Sequence, residues 1–190
     1  MLVPARWPRA CVLETRRLAL EPLLVKHADE AAALFDDVRL HEFTGGRPLT
    51  WVQLRRRYAR LEAGDSTSER DGWLNWTVRL RETDAMVGTA QATLRASDDD
   101  ALADVAWTTA SAHQRRGYAT EAAGAIVAWL GEQGVRHFVA HIHPAHIASM
   151  AVARHVGLTP TGITAGGEML WKRRCTPEDL QVAGSTSVSK

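Results

Sequence analysis

The chain has 190 residues, of which 45% are hydrophobic and 24% are charged, and its formal net charge is +1 at pH 7. This composition is typical of one globular domain with a buried core, and it excludes collagen-like and intrinsically disordered classes. The nearly balanced charge argues against a dedicated nucleic-acid binder, which would carry a strongly basic face.

The cysteine count and the chain ends bear on location and on domain limits. Cys11 and Cys175 are the two cysteines, which is typical of a reducing compartment rather than of a disulfide framework. Residues 1–10 contain prolines and arginines where a signal peptide needs an apolar core, and no apolar run is long enough to span a membrane. We therefore expect a cytoplasmic protein with a loose leader at 1–10, one domain over 11–175 and a disordered tail at 176–190.

Apolar periodicity and local signals predict the elements of the first part of the chain. Thr50 and Gln53 have the spacing of a helix capping box, and Gly64 provides a stop signal for that helix. We interpret the basic face of this helix as solvated. The elements predicted here, in chain order, are a strand from Thr15, an alanine-rich helix within 26–37, a loop over 40–49 and a helix over 50–64.

The rest of the chain consists of a β-rich middle followed by a βαβ-like end. A turn over 81–85 separates two alternating segments, which predicts a hairpin. The order of elements predicts a mixed α/β domain with an antiparallel front half. The predicted elements are strands over 73–80, 86–96 and 101–109, a helix around 119–131, a strand over 135–143, a helix over 145–157, and one or two closing strands that include 167–174.

The turn before the helix at 119–131 has the features of an anion site. Gly117 tolerates backbone angles closed to other residues, and Arg115 and Arg116 add positive charge to the free N–H groups of a helix N-terminus. Phosphate is the natural occupant, although neither a Walker A motif nor a GxGxxG fingerprint occurs. The alternative is an ordinary strand-to-helix turn with solvated arginines.

Three segments of the chain resemble one enzyme family. Residues 114–119 match the (Gln/Arg)-x-x-Gly-x-(Gly/Ala) pyrophosphate loop of the GNAT acetyltransferases. The segments "LETRRLALEPL" and "HPAHIASMAVARHVGL" resemble the branch that acetylates the N-termini of ribosomal proteins (RimJ/RimL-like), and the resemblance covers roughly residues 11–175. It implies an acetyl-CoA-dependent N-acetyltransferase whose twisted mixed sheet, flanked by about four helices, is splayed between its fourth and fifth strands, with acetyl-CoA in the split.

The resemblance also implies the cofactor contacts. Backbone N–H groups around Ala106 to Thr108, splayed by a bulge, are expected to polarise the thioester carbonyl, and Trp107 either lines the pantetheine slot or belongs to the core. His146 stands where the family usually has Asn, which leaves its contact to the cofactor open, and Leu158 replaces a Phe. The expected cofactor-binding residues are Ala106, Trp107, Thr108, Gln114, Arg115, Arg116, Gly117, Tyr118, Ala119, Thr120, His146 and Ser149.

Three side chains are candidates for the chemistry. Asp104 stands where related acetyltransferases often carry Glu, so it is a candidate base, directly or through one water; the alternative is a carboxylate paired with a nearby arginine. Glu42 is a second candidate base. No tyrosine occurs between His146 and Gly157, so the Ser149 hydroxyl is the candidate to stabilise the leaving thiolate, unless it bonds its own backbone.

Other interpretations are weaker. His141, His143 and His146 suggest zinc, but Pro144 turns the last away from the other two, so we expect no metal site. A catalytically silent acyl-CoA-binding module is the alternative function. The expected partners are acetyl-CoA and an amine acceptor, either a protein or peptide N-terminus or a small amine. We expect no nucleic-acid or membrane partner, and a homodimer is plausible from the family.

Overall fold

The computed structural model describes residues 7–63, 71–96 and 101–174 of the chain. Cys175, Gly64, residues 1–6 of the predicted leader and the predicted tail lie outside the described residues. The strands are β1 (Leu13–Glu14), β2 (Leu18–Pro22), β3 (Asp71–Leu80), β4 (Met86–Ala96), β5 (Ala101–Thr109), β6 (His137–Ile142), β7 (Thr159–Ala165) and β8 (Glu168–Arg174). The helices are α1 (Ala28–Leu34), α2 (Trp51–Ala63), α3 (Tyr118–Glu132) and α4 (Ile147–His155), and short 3₁₀ turns cover Val25–His27, Val38–His41 and Ser111–His113.

The eight strands form one mixed sheet in the order β1-β2-β3-β4-β5-β6-β8-β7. All neighbouring pairs are antiparallel except β5 and β6, which are parallel and are connected through α3. The predicted hairpin of β3 and β4 and the predicted βαβ unit are both present, and the mixed α/β fold is confirmed. Of the one or two closing strands predicted, two form, and β8 lies between β6 and β7 in the sheet.

Strand alternation divides the helices between the two faces of the sheet. Leu74, Trp76 and Val78 of β3 point to the face covered by α3 and α4, where they join the main core. The rings of Trp76 and Trp129 meet there edge to face at 5.8 Å, a favourable arrangement for two aromatic side chains. This large buried cluster fixes α3, and therefore the turn that precedes it, against the sheet.

The opposite face carries α1 and α2 over a smaller buried cluster that includes Leu54 and Tyr58. The Gln53 side chain accepts a hydrogen bond from the Thr50 N–H at 2.9 Å, so the predicted capping box forms. Arg79 of β3 donates to Glu30 at 2.7 Å and to Glu21 at 3.2 Å. Because the Arg79 side chain is only 11% exposed, this pairing ties α1 to the sheet beneath it.

The described part of the N-terminal segment packs against the sheet. Trp7 is half-buried beside the main core, and a Cβ at Gly72 would approach its ring to within 2.7 Å. Gly72 therefore makes room for this tryptophan. The proposed limits of the leader, domain and tail remain predictions. Among the described residues, no helix is both long enough and apolar enough to cross a membrane.

Candidate active site

The sheet opens between β5 and β6. The two strands pair with each other only over Leu102–Asp104 and His137–Val139. Beyond these residues β5 continues to Thr109 and β6 to Ile142, but the two no longer pair with each other. Since the strands are parallel, their carboxyl ends lie at the same edge, where open α/β sheets bind ligands. The first turns of α3 and α4 follow them at this edge. When the two-residue β1 is not counted, β5 and β6 are the fourth and fifth strands, so the sheet opens at the predicted position.

The bulge expected around Ala106 to Thr108 is absent. The register of β4 with β5 runs without interruption from the pair Gly88–Thr109 to the pair Ala96–Ala101, and the irregularity lies instead between β3 and β4 at Val78 and Arg79. The split therefore needs no distortion of β5. It arises because β6 diverges, while β4 continues to hydrogen-bond the other edge of β5.

The turn before α3 has the geometry of an anion site. Gly117 adopts φ +78° and Arg115 adopts φ +60°, both in the left-handed region. Within the described residues, no side chain caps α3, so its first N–H groups stay available at the edge of the split. The Gln114 amide donates to the Thr109 carbonyl at 3.1 Å and closes the turn. Arg115 and Arg116 are exposed, while Tyr118, Ala119 and Thr120 form the half-buried first turn.

Arg17 supports this turn from behind, although no sequence pattern marked it as a site residue. Its Nη1 donates to the Arg116 carbonyl at 2.9 Å, and its guanidinium lies 4.8 Å from the centroid of the Tyr118 ring. A Cβ at Gly117 would lie 3.4 Å from Arg17 Nη2. The only sequence signal for Arg17 was its position in the opening strand motif, which carries no information about the loop it contacts.

Glu121 in the first turn of α3 completes this support. Its carboxylate accepts hydrogen bonds from the Thr15 hydroxyl at 2.6 Å, the Arg17 backbone N–H at 2.9 Å and Arg17 Nε at 2.7 Å. Burial by itself would raise the pKa of Glu121, but these hydrogen bonds outweigh it and hold the pKa below its usual value. The carboxylate is therefore ionised at neutral pH, near the positive end of the helix dipole.

Asp104 lies at the last paired position of β5, where the split begins. Its side chain is 22% exposed, and its Oδ2 is 3.7 Å from both Arg95 Nη1 and His141 Nε2. Burial raises the pKa of Asp104, the charges of His141 and Arg95 oppose that change, and Glu168 adds to it. The net direction is upward, which makes this carboxylate a better proton acceptor than an exposed aspartate.

A cavity of about 310 Å³ lies between the sheet and the pair α1 and α2. Ala106 and Thr108 form part of its floor, on the same face of β5 as Asp104, because side chains two residues apart on a strand share a face. Trp107 packs against the main core and also borders the cavity, and its role in lining a pantetheine slot stays a prediction. Other residues that line the cavity include Leu23, Phe35, Leu40, His41, Leu54, Arg57, Tyr58, Leu61, Asn75, Thr89 and Gln91.

The start of α4 borders the same region through the loop between α1 and α2. His146 lies at the N-cap of α4 and stacks on Phe43 of that loop, with 4.4 Å between ring centroids. Burial lowers the pKa of His146, the charge of Glu42 opposes this, and His143 adds to it. The imidazole is therefore neutral at pH 7 and cannot be a cationic cofactor contact.

Ser149 and Glu42 occupy different positions relative to the cavity. Ser149 is half-buried in the first turn of α4, and its hydroxyl makes no hydrogen bond to any residue of the described ranges. It is thus free to bond a ligand rather than tied to its own backbone. Glu42 is exposed near His146, and neither Glu42 nor Asp104 lines the cavity, although Asp104 shares a face of β5 with the lining residues Ala106 and Thr108.

Comparison with known proteins gives a consistent family assignment. The sequence profile of the acetyltransferase (GNAT) domain matches residues 17–159, most of the chain. No curated protein sequence shows significant similarity to it. A GNAT-family acetyltransferase structure from Bordetella pertussis is 27% identical, with 86% of this chain and 99% of that chain covered and a TM-score of 0.68.

Two further solved structures share the fold and contain ligands. RimL, a ribosomal L7/L12 α-N-protein acetyltransferase in complex with coenzyme A, is 15% identical, with 90% and 99% of the two chains covered and a TM-score of 0.70. The microcin C7 self-immunity acetyltransferase MccE, in complex with acetyl-CoA and AMP, is 14% identical, with 85% and 94% covered and a TM-score of 0.68. At these identities the similarity shows the fold alone.

Proposed function

The chain belongs to the GNAT acetyltransferase family, and we propose that it transfers an acetyl group from acetyl-CoA to a primary amine by direct attack in a ternary complex. One observation carries this proposal. The uncapped N-terminus of α3, with its glycine turn and two arginines, lies at the edge where β5 and β6 separate, and the cavity lies against the same stretch of β5.

The residues present fit acetyl-CoA. The pyrophosphate would be held by N–H groups of the first turn of α3 and by the charges of Arg115 and Arg116, since the backbone angle of Gly117 leaves the turn open to a close approach. The pantetheine arm would run between β5 and β6, towards Ser149 at the start of α4. When bound, acetyl-CoA supplies an acetyl group activated as a thioester.

The chain's own residues then act on the proton and on the developing charges. The unpaired backbone N–H groups of β5 beyond Asp104 are suited to stabilise negative charge on the carbonyl oxygen. The amine nitrogen forms a bond to the acetyl carbon while the carbon–sulfur bond breaks. In this proposal Asp104 accepts the amine proton, directly or through one water, and the Ser149 hydroxyl hydrogen-bonds the departing sulfur.

An α-amine needs only modest help from a base. Its ordinary pKa is about 7.7–8.0, so a substantial fraction is neutral near pH 7. Positioning of the two substrates should therefore supply much of the acceleration. Asp104, whose raised pKa lies nearer to that of the amine than the pKa of an exposed aspartate does, fits this limited role.

The same proposal includes the branch of the family, the cellular location and the oligomeric state. The opening strand and the α4 segment support a place in the RimJ/RimL branch, which acts on protein N-termini, and a small amine is the other acceptor class. A cytoplasmic location is supported by the sequence features above. A homodimer rests on the family resemblance alone.

The direct test is release of free thiol from acetyl-CoA in the presence of a panel of peptides and small amines, with mass spectrometry of the products. We expect transfer to at least one primary amine, with an added mass of one acetyl group. Binding of acetyl-CoA without turnover on every amine would favour the catalytically silent module instead.

A further inference from the structure

The cavity between the sheet, α1 and α2 combines apolar walls with a polar floor. Its walls include Leu23, Phe35, Leu54 and Leu61, whereas Asn75 and Gln91 lie on neighbouring strands in its floor. Asn75 of β3 pairs with Gln91 of β4, which pairs with Ala106 of β5. The polar side chains therefore form a row that leads across the sheet to the strand that borders the split.

Two side chains in this cavity are buried without a partner. Asn75 is 9% exposed and Tyr58 is 4% exposed. Neither side chain makes a hydrogen bond to another residue in the described part of the chain, and both line the cavity. Neither side chain has a fully enclosed, unpaired polar atom, so their polar atoms reach the cavity, where a ligand or water can pair with them.

The charge of the cavity favours some amines over others. Among the described residues that line it, no side chain is a carboxylate, and Arg57 and His41 are the basic ones. Arg57 has no carboxylate within ion-pair distance in the described ranges. An amine with several positive charges would therefore enter without a counter-charge in the described lining and would meet the exposed Arg57 cation, which is unfavourable.

The size of the cavity suits a compact group. Liquid water occupies about 30 Å³ per molecule, so 310 Å³ corresponds to roughly ten water molecules. The side-chain amide of Asn75 offers two donors and one acceptor, and the Tyr58 hydroxyl can donate or accept. A neutral carboxamide can donate hydrogen bonds to this pair and accept them from it, and a carbonyl group can accept them.

On the basis of the proposed function, we propose that the acceptor is a compact amine with one positive charge, a largely apolar body and a neutral carbonyl or carboxamide group that hydrogen-bonds Asn75 and Tyr58. Its reactive nitrogen would lie towards Ala106 and Thr108, where the cavity meets the split. Polyamines and other polycationic acceptors are disfavoured, because no described lining residue is acidic and Arg57 is cationic.

The experiment compares phenylalaninamide, 2-phenylethylamine, which lacks only the carboxamide, and spermidine. We expect kcat/KM for phenylalaninamide to exceed that for spermidine by at least about 100-fold. The ratio of phenylalaninamide to 2-phenylethylamine should fall about tenfold in Asn75→Leu and in the isosteric Tyr58→Phe. Taking this ratio in each enzyme cancels the different basicities of the two amines. Thr161→Val, which removes a hydroxyl from β7, is the matched control and should leave the ratio unchanged.

The outcomes separate the inference from the function on which it rests. Preference for spermidine, or an unchanged amide-to-amine ratio in a folded Tyr58→Phe enzyme, would overturn the inference while leaving acetyl transfer intact. Absence of transfer to phenylalaninamide by an enzyme that acetylates other amines would do the same. If acetyl-CoA neither binds nor is turned over with any amine, the proposed function falls together with the inference.

Discussion

At the scale of single residues, Gly117 is the position where backbone geometry and cofactor binding meet. Its φ of +78° is costly for a β-branched side chain, and an added Cβ would contact Arg17. Gly117→Val should weaken acetyl-CoA binding at least tenfold, about 1.4 kcal/mol, as measured by calorimetry. Gly124→Ala, in the open middle of α3, is the matched control and should bind normally. Equal affinity in a folded Gly117→Val protein would remove this turn from the cofactor site.

Ser149 offers a test of how the acetyl group leaves. Because its hydroxyl has no partner among the described residues, its proposed role is to hydrogen-bond the departing sulfur. Ser149→Ala should lower kcat about 10–100-fold with little change in acetyl-CoA affinity, since the interaction strengthens as charge develops. Single-turnover rates measure this directly. Normal single-turnover rates in the variant would leave water or the substrate ammonium as the proton source.

Asp104 combines a proposed catalytic role with an unfavourable environment. Asp104→Asn should lower kcat/KM most at pH 6, where the amine is largely protonated, and the loss should shrink towards pH 9. The raised pKa means that the fold favours the protonated carboxyl. Its contribution to stability is therefore present at low pH and is lost as the pH rises from the ordinary pKa through the raised one.

The same substitution should therefore separate activity from stability. Asparagine resembles the protonated form, so at pH 7 the free energy of unfolding of Asp104→Asn should equal or exceed that of the wild type. Urea denaturation at pH 7 measures it. Glu42→Gln is the comparison for catalysis: a pH-dependent loss in that variant, with Asp104→Asn unaffected, would transfer the role of base to Glu42.

At the scale of elements, the hydrogen bonds from Thr15 and Arg17 to Glu121 join the β1–β2 segment to the turn before α3. Glu121→Gln should destabilise the protein by about 1–3 kcal/mol at pH 7, because charge-assisted hydrogen bonds and an ion pair are lost. It should also weaken acetyl-CoA binding, since Arg17 holds the Arg116 carbonyl. Denaturation and calorimetry on one variant measure both effects.

The pH dependence of this contact has a definite sign. The pKa of Glu121 is lowered in the fold, so its stabilisation is complete above the ordinary pKa of about 4.5 and disappears as the pH falls through the lowered value. The stability difference between wild type and Glu121→Gln should therefore narrow below pH 4.5. Glu132→Gln, exposed at the other end of α3, should be close to neutral at every pH. A constant difference down to pH 2 would contradict the ionic origin.

At the scale of the whole molecule, ligand binding across the split should stabilise the entire fold. The proposed cofactor would touch β5, β6, α3 and α4, so acetyl-CoA at 100 times its Kd should add about 2.7 kcal/mol to the free energy of unfolding. For a domain of this size that corresponds to a rise in Tm of about 5–10 °C in a thermal-shift experiment. S-acetylpantetheine, which lacks the pyrophosphate, should give a smaller shift at equal concentration; equal shifts would argue against anion binding at α3.

Local features of the chain were predictable from sequence because they depend on neighbours along the backbone. Alternation of apolar residues identified β3 and β4, and the Thr50–Gln53 spacing identified the cap of α2. The motif at 114–119 located a turn whose glycine is left-handed. Each of these signals involves residues within a few positions of one another, where strand and helix periods act directly.

Contacts between residues that are far apart in the sequence were decided by the tertiary structure alone. The pairing of Arg17 with Glu121 spans 104 residues, the insertion of β8 beside β6 depends on sheet order, and the burial of Asn75 beside Tyr58 depends on where α2 crosses the sheet. The prediction of a bulge at Ala106–Thr108 was wrong for the same reason. The shape of β5 depends on its pairing with β4 and on the divergence of β6, and both are set by the whole sheet. Strand register and helix placement follow from the packing of the whole core, and no local period of the sequence specifies them.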